Sequence, residues 1–234
     1  MNRREQLADR LATLQARIER ACAQARRDAA EITLIVVTKT FPASDVRLLA
    51  ELGVRDIGEN RDQEASAKAA ECAGLDLSWH FVGQLQTNKA NSVARYASVV
   101  HSVDRPRLVA ALSRAAAAAG RELRCLVQLS LDEQQSDQPG RGGIPPAAVL
   151  ALADQIASAP HLQLTGVMAI APFGADPVPP FARLAEVSQL LRQHHPAAGW
   201  ISAGMSEDLE AALHAGATHL RVGTAILGDR PAAG

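Results

Sequence analysis

The sequence predicts an α/β fold, a (β/α)8 TIM barrel with an extra N-terminal helix. Two patterns and one absence predict it. Eight short apolar runs rich in β-branched residues alternate with segments of helical periodicity, the signature of parallel strands joined by crossover helices. The length, 234 residues, is what such a barrel ordinarily takes as one unit, so residues 1–234 read as a single domain. A doubly wound open sheet is the competing architecture, but the GxGxxG turn that would mark it is missing after the first strand.

Taken in order, a helix from about Asn2 to Arg27 comes first, because Leu7, Leu11, Leu14 and Ile18 recur at helical spacing. Preceding every strand, it is expected to lie over the outside of the barrel or its floor. The strands are read at Thr33 to Lys39, Val54 to Glu59, Ser78 to Gly83, Ser98 to Asp104, Arg124 to Leu131, Leu164 to Ala171, Gly199 to Gly204 and His219 to Leu227. Between them run periodic segments such as Ala43 to Leu52, Arg61 to Ala73, Arg105 to Ala119, Ala147 to Ser158, Pro180 to His194 and Ser206 to Ala215. The stretch from Asp132 to Pro146, with Gly140, Gly142, Gly143 and two prolines, is the expected mobile loop.

Composition narrows the function classes. A net charge of −1 gives no electrostatic reason to expect nucleic acid or an anionic membrane as partner, so any anion must be caught locally. The most apolar stretches are far shorter than the roughly 20 residues of a membrane span, and the charged N-terminus lacks a signal-peptide core. Cys22, Cys72 and Cys125 are widely spaced with no Cys-x-x-Cys pair, which suits a reducing cytoplasm and suggests neither disulfides nor a zinc site. The histidines show no HExxH or similar spacing, so no metal is assigned.

In parallel α/β barrels the working residues gather at the C-terminal ends of strands. Lys39 closes the run LIVVTK, where its amine would stand over the mouth and, once desolvated, attack an aldehyde; position alone favours a solvated lysine at a strand end. Asn60 ends the second strand as ligand contact or helix cap, and His80 and His101 are read as site residues or hydrogen-bonded core imidazoles. The loops after strands seven and eight are frequent phosphate sites, and here they read SAGMSED and RVGT. Ser206 at a helix start suits a phosphate or a plain N-cap, while Gly223 admits close backbone approach and Thr224 adds a hydroxyl. An amine at one side of the mouth and a phosphate cradle at the other suit a phosphorylated aldehyde such as pyridoxal phosphate (PLP). Arg221, on the same face of its strand as Gly223, would reach the pyridine nitrogen.

The segments VVTKTFP, GENRDQE, WHFVGQLQTNK, HSVD, MAIAPFG, GMSEDLEAAL and RVGTAILG, spread nearly end to end, resemble the pyridoxal phosphate homeostasis protein family, which is similar to the barrel domain of alanine racemase. The resemblance implies Lys39 as the Schiff-base lysine, phosphate contacts from Ser206, Gly223 and Thr224, Asn60 and Met205 along the ring, and Arg221 at the pyridine nitrogen. An arginine there disfavours nitrogen protonation and so strong carbanion chemistry. Ala203 stands where a methionine is common, and Arg141 where many relatives place a lysine.

Two functions follow from the resemblance: a non-enzymatic carrier that stores or delivers PLP in vitamin B6 homeostasis, and an amino-acid racemase. Racemisation needs a second acid/base, which alanine racemase takes from a tyrosine of a separate β-domain of its partner subunit. This sequence shows no room for that domain after the eighth strand, and its only tyrosine, Tyr96, reads as a packing residue. The carrier is therefore expected, with no catalytic residue, as a cytoplasmic monomer that makes at most transient contact with PLP-dependent apo-enzymes.

Overall fold

The computed structural model describes residues 1–131, 142–172 and 174–229. The expected mobility of the Asp132 to Pro146 loop falls chiefly on residues outside that set. Among the described residues, eight parallel strands close a barrel in sequence order, and the last strand pairs with the first. They are β1 (Thr33–Val37), β2 (Asp56–Glu59), β3 (Ser78–Phe81), β4 (Val99–Val103), β5 (Leu123–Gln128), β6 (Leu162–Met168), β7 (Trp200–Ser202) and β8 (His219–Val222).

The helices form the outer layer: α1 (Arg3–Gln24), α2 (Ala43–Glu51), α3 (Asp62–Glu71), α4 (Ala90–Tyr96), α5 (Pro106–Ala119), α6 (Val149–Ser158), α7 (Val178–His194), α8 (Leu209–His214) and α9 (Thr224–Leu227). Asn2 and Glu5 start α1 with a reciprocal capping box, and Leu7, Leu11, Leu14 and Ile18 are its buried stripe. α1 lies over α2, α8 and α9, across the seam where β8 meets β1. Arg3 bridges to Asp45 on α2 at 2.6 Å and to the Leu227 carbonyl at 3.2 Å. Arg17 donates to Glu210 on α8 at 2.6 Å and to the Ser206 carbonyl at 2.7 Å.

The main core fills the space between strands and helices. A second, smaller apolar cluster of Val99, Leu126 and Met168, with Trp200 against it, is separate from that core. Gly166 shows how tightly the wall is built: at φ +155° it approaches Trp200 so closely that a Cβ would lie 1.9 Å from that residue's carbonyl oxygen.

Most strands are shorter than expected, and two of the changes bear on the site. The first strand stops at Val37, so Lys39 sits in a turn, followed by Thr40 with a left-handed φ of 70°. The eighth stops at Val222, and Thr224–Leu227 is a short helix. A short apolar run carries no period by which strand and helix can be told apart.

Candidate functional site

A cleft of about 1110 Å3 opens at the C-terminal end of the barrel. Lys39, Asn60, Met205, Ser206, Arg221, Gly223 and Thr224 all line it. Closure of the barrel puts Lys39 beside the loops after β7 and β8 instead of across the mouth from them, because β1 and β8 are neighbours. The amine and the loops after β7 and β8 thus share one side of the rim.

The turn that carries Lys39 is fastened on both flanks. Thr38 donates its amide to the Gly58 carbonyl at 3.0 Å and its hydroxyl to Glu59 Oε1 at 2.6 Å. Lys68, on the buried face of α3, donates to the Thr38 carbonyl at 2.8 Å, to Glu59 at 2.5 Å and to Glu64 at 2.9 Å. Glu64 in turn accepts from the Thr40 amide at 2.5 Å. Burial raises the Glu59 carboxyl above its ordinary range, against the opposing pull of Lys68 and Thr38. This cluster escapes sequence reasoning, since Lys68 looks like any helix-face lysine.

Ser206 does not cap the following helix. Residues 206–208 form a turn, α8 begins at Leu209 after Asp208, and the Met205 amide donates to Asp208 Oδ1 at 2.6 Å. The Ser206 hydroxyl instead accepts the Ala225 amide at 3.4 Å, which ties the two loops together. A Cβ on Gly223 would stand 2.9 Å from the Val37 carbonyl, so only glycine lets the backbone sit this low in the cleft. Met205 is partly exposed at the rim. Asn60 contributes a buried amide oxygen with no hydrogen-bond partner.

Arg221 is 5% exposed and donates to Ser202 Oγ at 2.6 Å and to the Ala169 carbonyl at 2.9 Å. Burial pulls its pKa down to about 10, which leaves it cationic at neutral pH. His80 and His101 are buried in the barrel interior and bonded to each other at 2.9 Å. They are core imidazoles that do not line the cleft. Burial, then His80, Arg221 and His219, drive His101 well below the usual histidine range. His219 is pushed down to about 4, mainly by burial. Tyr96 packs edge-on to Trp79 and bonds Asp62 at 3.4 Å, away from the cleft, as a packing residue would.

Among the described residues no cluster of His, Cys, Asp and Glu could hold a metal. The three cysteines are free and buried, and among the described residues no helix is long and apolar enough to cross a membrane. Chemically, the cleft offers a primary amine, a buried cation and two loops that bring the hydroxyls of Ser206 and Thr224 and the backbone of Gly223.

Comparison with known proteins agrees with this architecture. The alanine racemase N-terminal domain family model matches residues 10–231. The chain is 43% identical over 227 residues to the pyridoxal phosphate homeostasis protein of Corynebacterium glutamicum, covering 94% of this chain and 100% of that relative. PipY of Synechococcus elongatus PCC7942, solved with PLP bound, is 35% identical with a TM-score of 0.82, over 95% of this chain and 100% of that one. Alanine racemase from Corynebacterium glutamicum shares the fold alone, at 15% identity and a TM-score of 0.71 over 99% of this chain and 62% of that one. By its barrel, its matched motifs and its near full-length identity to these relatives, the chain belongs to the pyridoxal phosphate homeostasis protein family.

Proposed function

We propose that this protein binds PLP in the mouth cleft and stores or delivers it, holding it as a Schiff base on Lys39. The observation that carries the reading is the gathering of an amine, a buried guanidinium and the loops after β7 and β8, with Ser206, Gly223 and Thr224, in one cleft. The chain has three lysines, Lys39, Lys68 and Lys89. Lys68 is committed to Glu59 and Glu64, and Lys89 lines a neighbouring groove, so Lys39 alone supplies this cleft with an amine.

The residues fit the group. Asn60, which lines the cleft, keeps a buried side-chain oxygen without a partner, and Gly223 packs its backbone against the Val37 carbonyl where no side chain could stand. PLP supplies an aldehyde that condenses with a primary amine, releasing water. Ser206, Gly223 and Thr224 hold the phosphate, Asn60 and Met205 flank the ring, and Arg221 faces the ring nitrogen. A cation at that position keeps the nitrogen unprotonated and weakens the ring as an electron sink, which favours carriage over catalysis. On this reading the protein acts as a monomeric cytoplasmic barrel spanning residues 1–234 and meets apo-enzymes transiently.

Borohydride reduction of the PLP-loaded protein followed by peptide mapping tests the assignment. The added mass is expected on Lys39. Mass on Lys68, on Lys89 or nowhere overturns it. Rapid, Lys39-dependent isotope exchange at the α-carbon of alanine would replace the carrier with a racemase.

A further inference from the structure

Five polar side chains form one continuous hydrogen-bonded line through the barrel. Asp56, at the N-terminal end of β2, bonds His80 Nε2 at 2.9 Å. His80 Nδ1 bonds His101 Nε2 at 2.9 Å, and His101 Nδ1 bonds Ser202 Oγ at 2.9 Å. Ser202 then receives Arg221 at 2.6 Å. Asp56 is partly exposed at one end of the barrel, and Arg221 lines the cleft at the other. His101 and Ser202 stand on β4 and β7, which do not pair, so their bond spans the barrel interior. Buried polar groups in such a place are costly unless every one is partnered.

When both imidazoles are neutral, the two ends decide every proton between them. A carboxylate only accepts and a guanidinium only donates. With one proton on each imidazole, His80 must donate from Nε2 to Asp56 and accept at Nδ1. His101 must then donate from Nε2 and accept at Nδ1. Ser202 is left to donate its hydroxyl proton to His101, which turns its oxygen lone pairs toward Arg221. Resting on the PLP reading above, we infer that His80, His101 and Ser202 are positioning residues. They fix the Ser202 hydroxyl as an acceptor and so aim the Arg221 guanidinium at the ring nitrogen of the cofactor. Without the imidazole acceptor the hydroxyl is free to turn, and Arg221 loses a defined partner on its inner side.

The test follows the ring nitrogen directly, in protein loaded with PLP labelled with 15N in the ring. Ser202→Ala and His101→Leu are expected to move the ring-nitrogen resonance away from its wild-type position and to release PLP about tenfold faster, the loss of one charge-assisted bond. His101→Asn, which keeps an acceptor oxygen near the place of Nδ1, should retain most of the wild-type resonance. In an Arg221→Gln background, adding His101→Leu should produce no further shift. Should His101→Leu fail to fold, Ser202→Ala carries the comparison, alone and on Arg221→Gln. Unchanged resonance and release in Ser202→Ala, or equal effects with and without Arg221, overturn the inference. Failure of the wild-type protein to take up PLP would instead overturn the proposed function.

Discussion

Lys68 Nζ lies 2.8 Å from the carbonyl oxygen of Thr38, the residue immediately before Lys39. A buried lysine therefore holds the backbone beside the one that lines the cleft. Lys68→Met removes the cation while leaving Glu59 buried, and breaking such a pair costs about 3 kcal/mol of folding stability. Glu59→Gln added to Lys68→Met should restore part of that loss, because the stranded charge is gone. Urea denaturation of the three proteins measures both effects; a double variant weaker than Lys68→Met would contradict the account.

Lys39→Ala should abolish the visible absorbance of the PLP-loaded protein while changing stability by less than about 1 kcal/mol, because the side chain stands at the mouth and packs no core. Absorbance spectra and thermal melts taken on the same samples decide it. A melt lowered by many degrees would show that the lysine is structural.

Acid should weaken the fold through its buried histidines. In the unfolded chain a histidine binds its proton near pH 6.5, while His219 in the folded chain holds off until about 4 and His101 is depressed in the same direction. The unfolded state thus takes up more protons in this window, so stability is full above the unfolded value and is lost as pH falls toward the folded one. His219 alone accounts for roughly 3 kcal/mol across the interval. Urea midpoints that stay constant between neutral pH and pH 4.5 would refute this, and His219→Asn should flatten the slope.

Gly166→Ala places a methyl group 1.9 Å from the Trp200 carbonyl oxygen at a φ of +155°. Neither strand can retreat inside a closed sheet. A loss of at least about 3 kcal/mol is expected, read as a lowered melting temperature or loss of soluble protein.

Much of this was legible in the sequence, for physical reasons. Strand and helix patterns differ in period, so the eight-fold alternation and the α1 stripe of Leu7, Leu11, Leu14 and Ile18 stand out. The cleft residues were legible because they end apolar runs, at Lys39 and Asn60, or interrupt them with glycine, as Gly223 does. Strand ends were not. The apolar run through Leu227 continues after the sheet stops, because its side chains serve first a strand and then a helix. The inner network was hidden for another reason. His101 and Ser202 are 101 positions apart and meet across an interior that exists only once the barrel has closed. Likewise, Lys68 and Glu59 gain their meaning from burial, and no local pattern distinguishes them from surface charges.

Arg17 and Arg3 on α1 reach the backbone at Ser206 and at Leu227, in or just beyond the segments that border the cleft. The opening helix is a buttress set behind the loops that follow β7 and β8. The brace ties the outer face of the molecule to the rim of the pocket, so loosening α1 would free the backbone of those loops from behind.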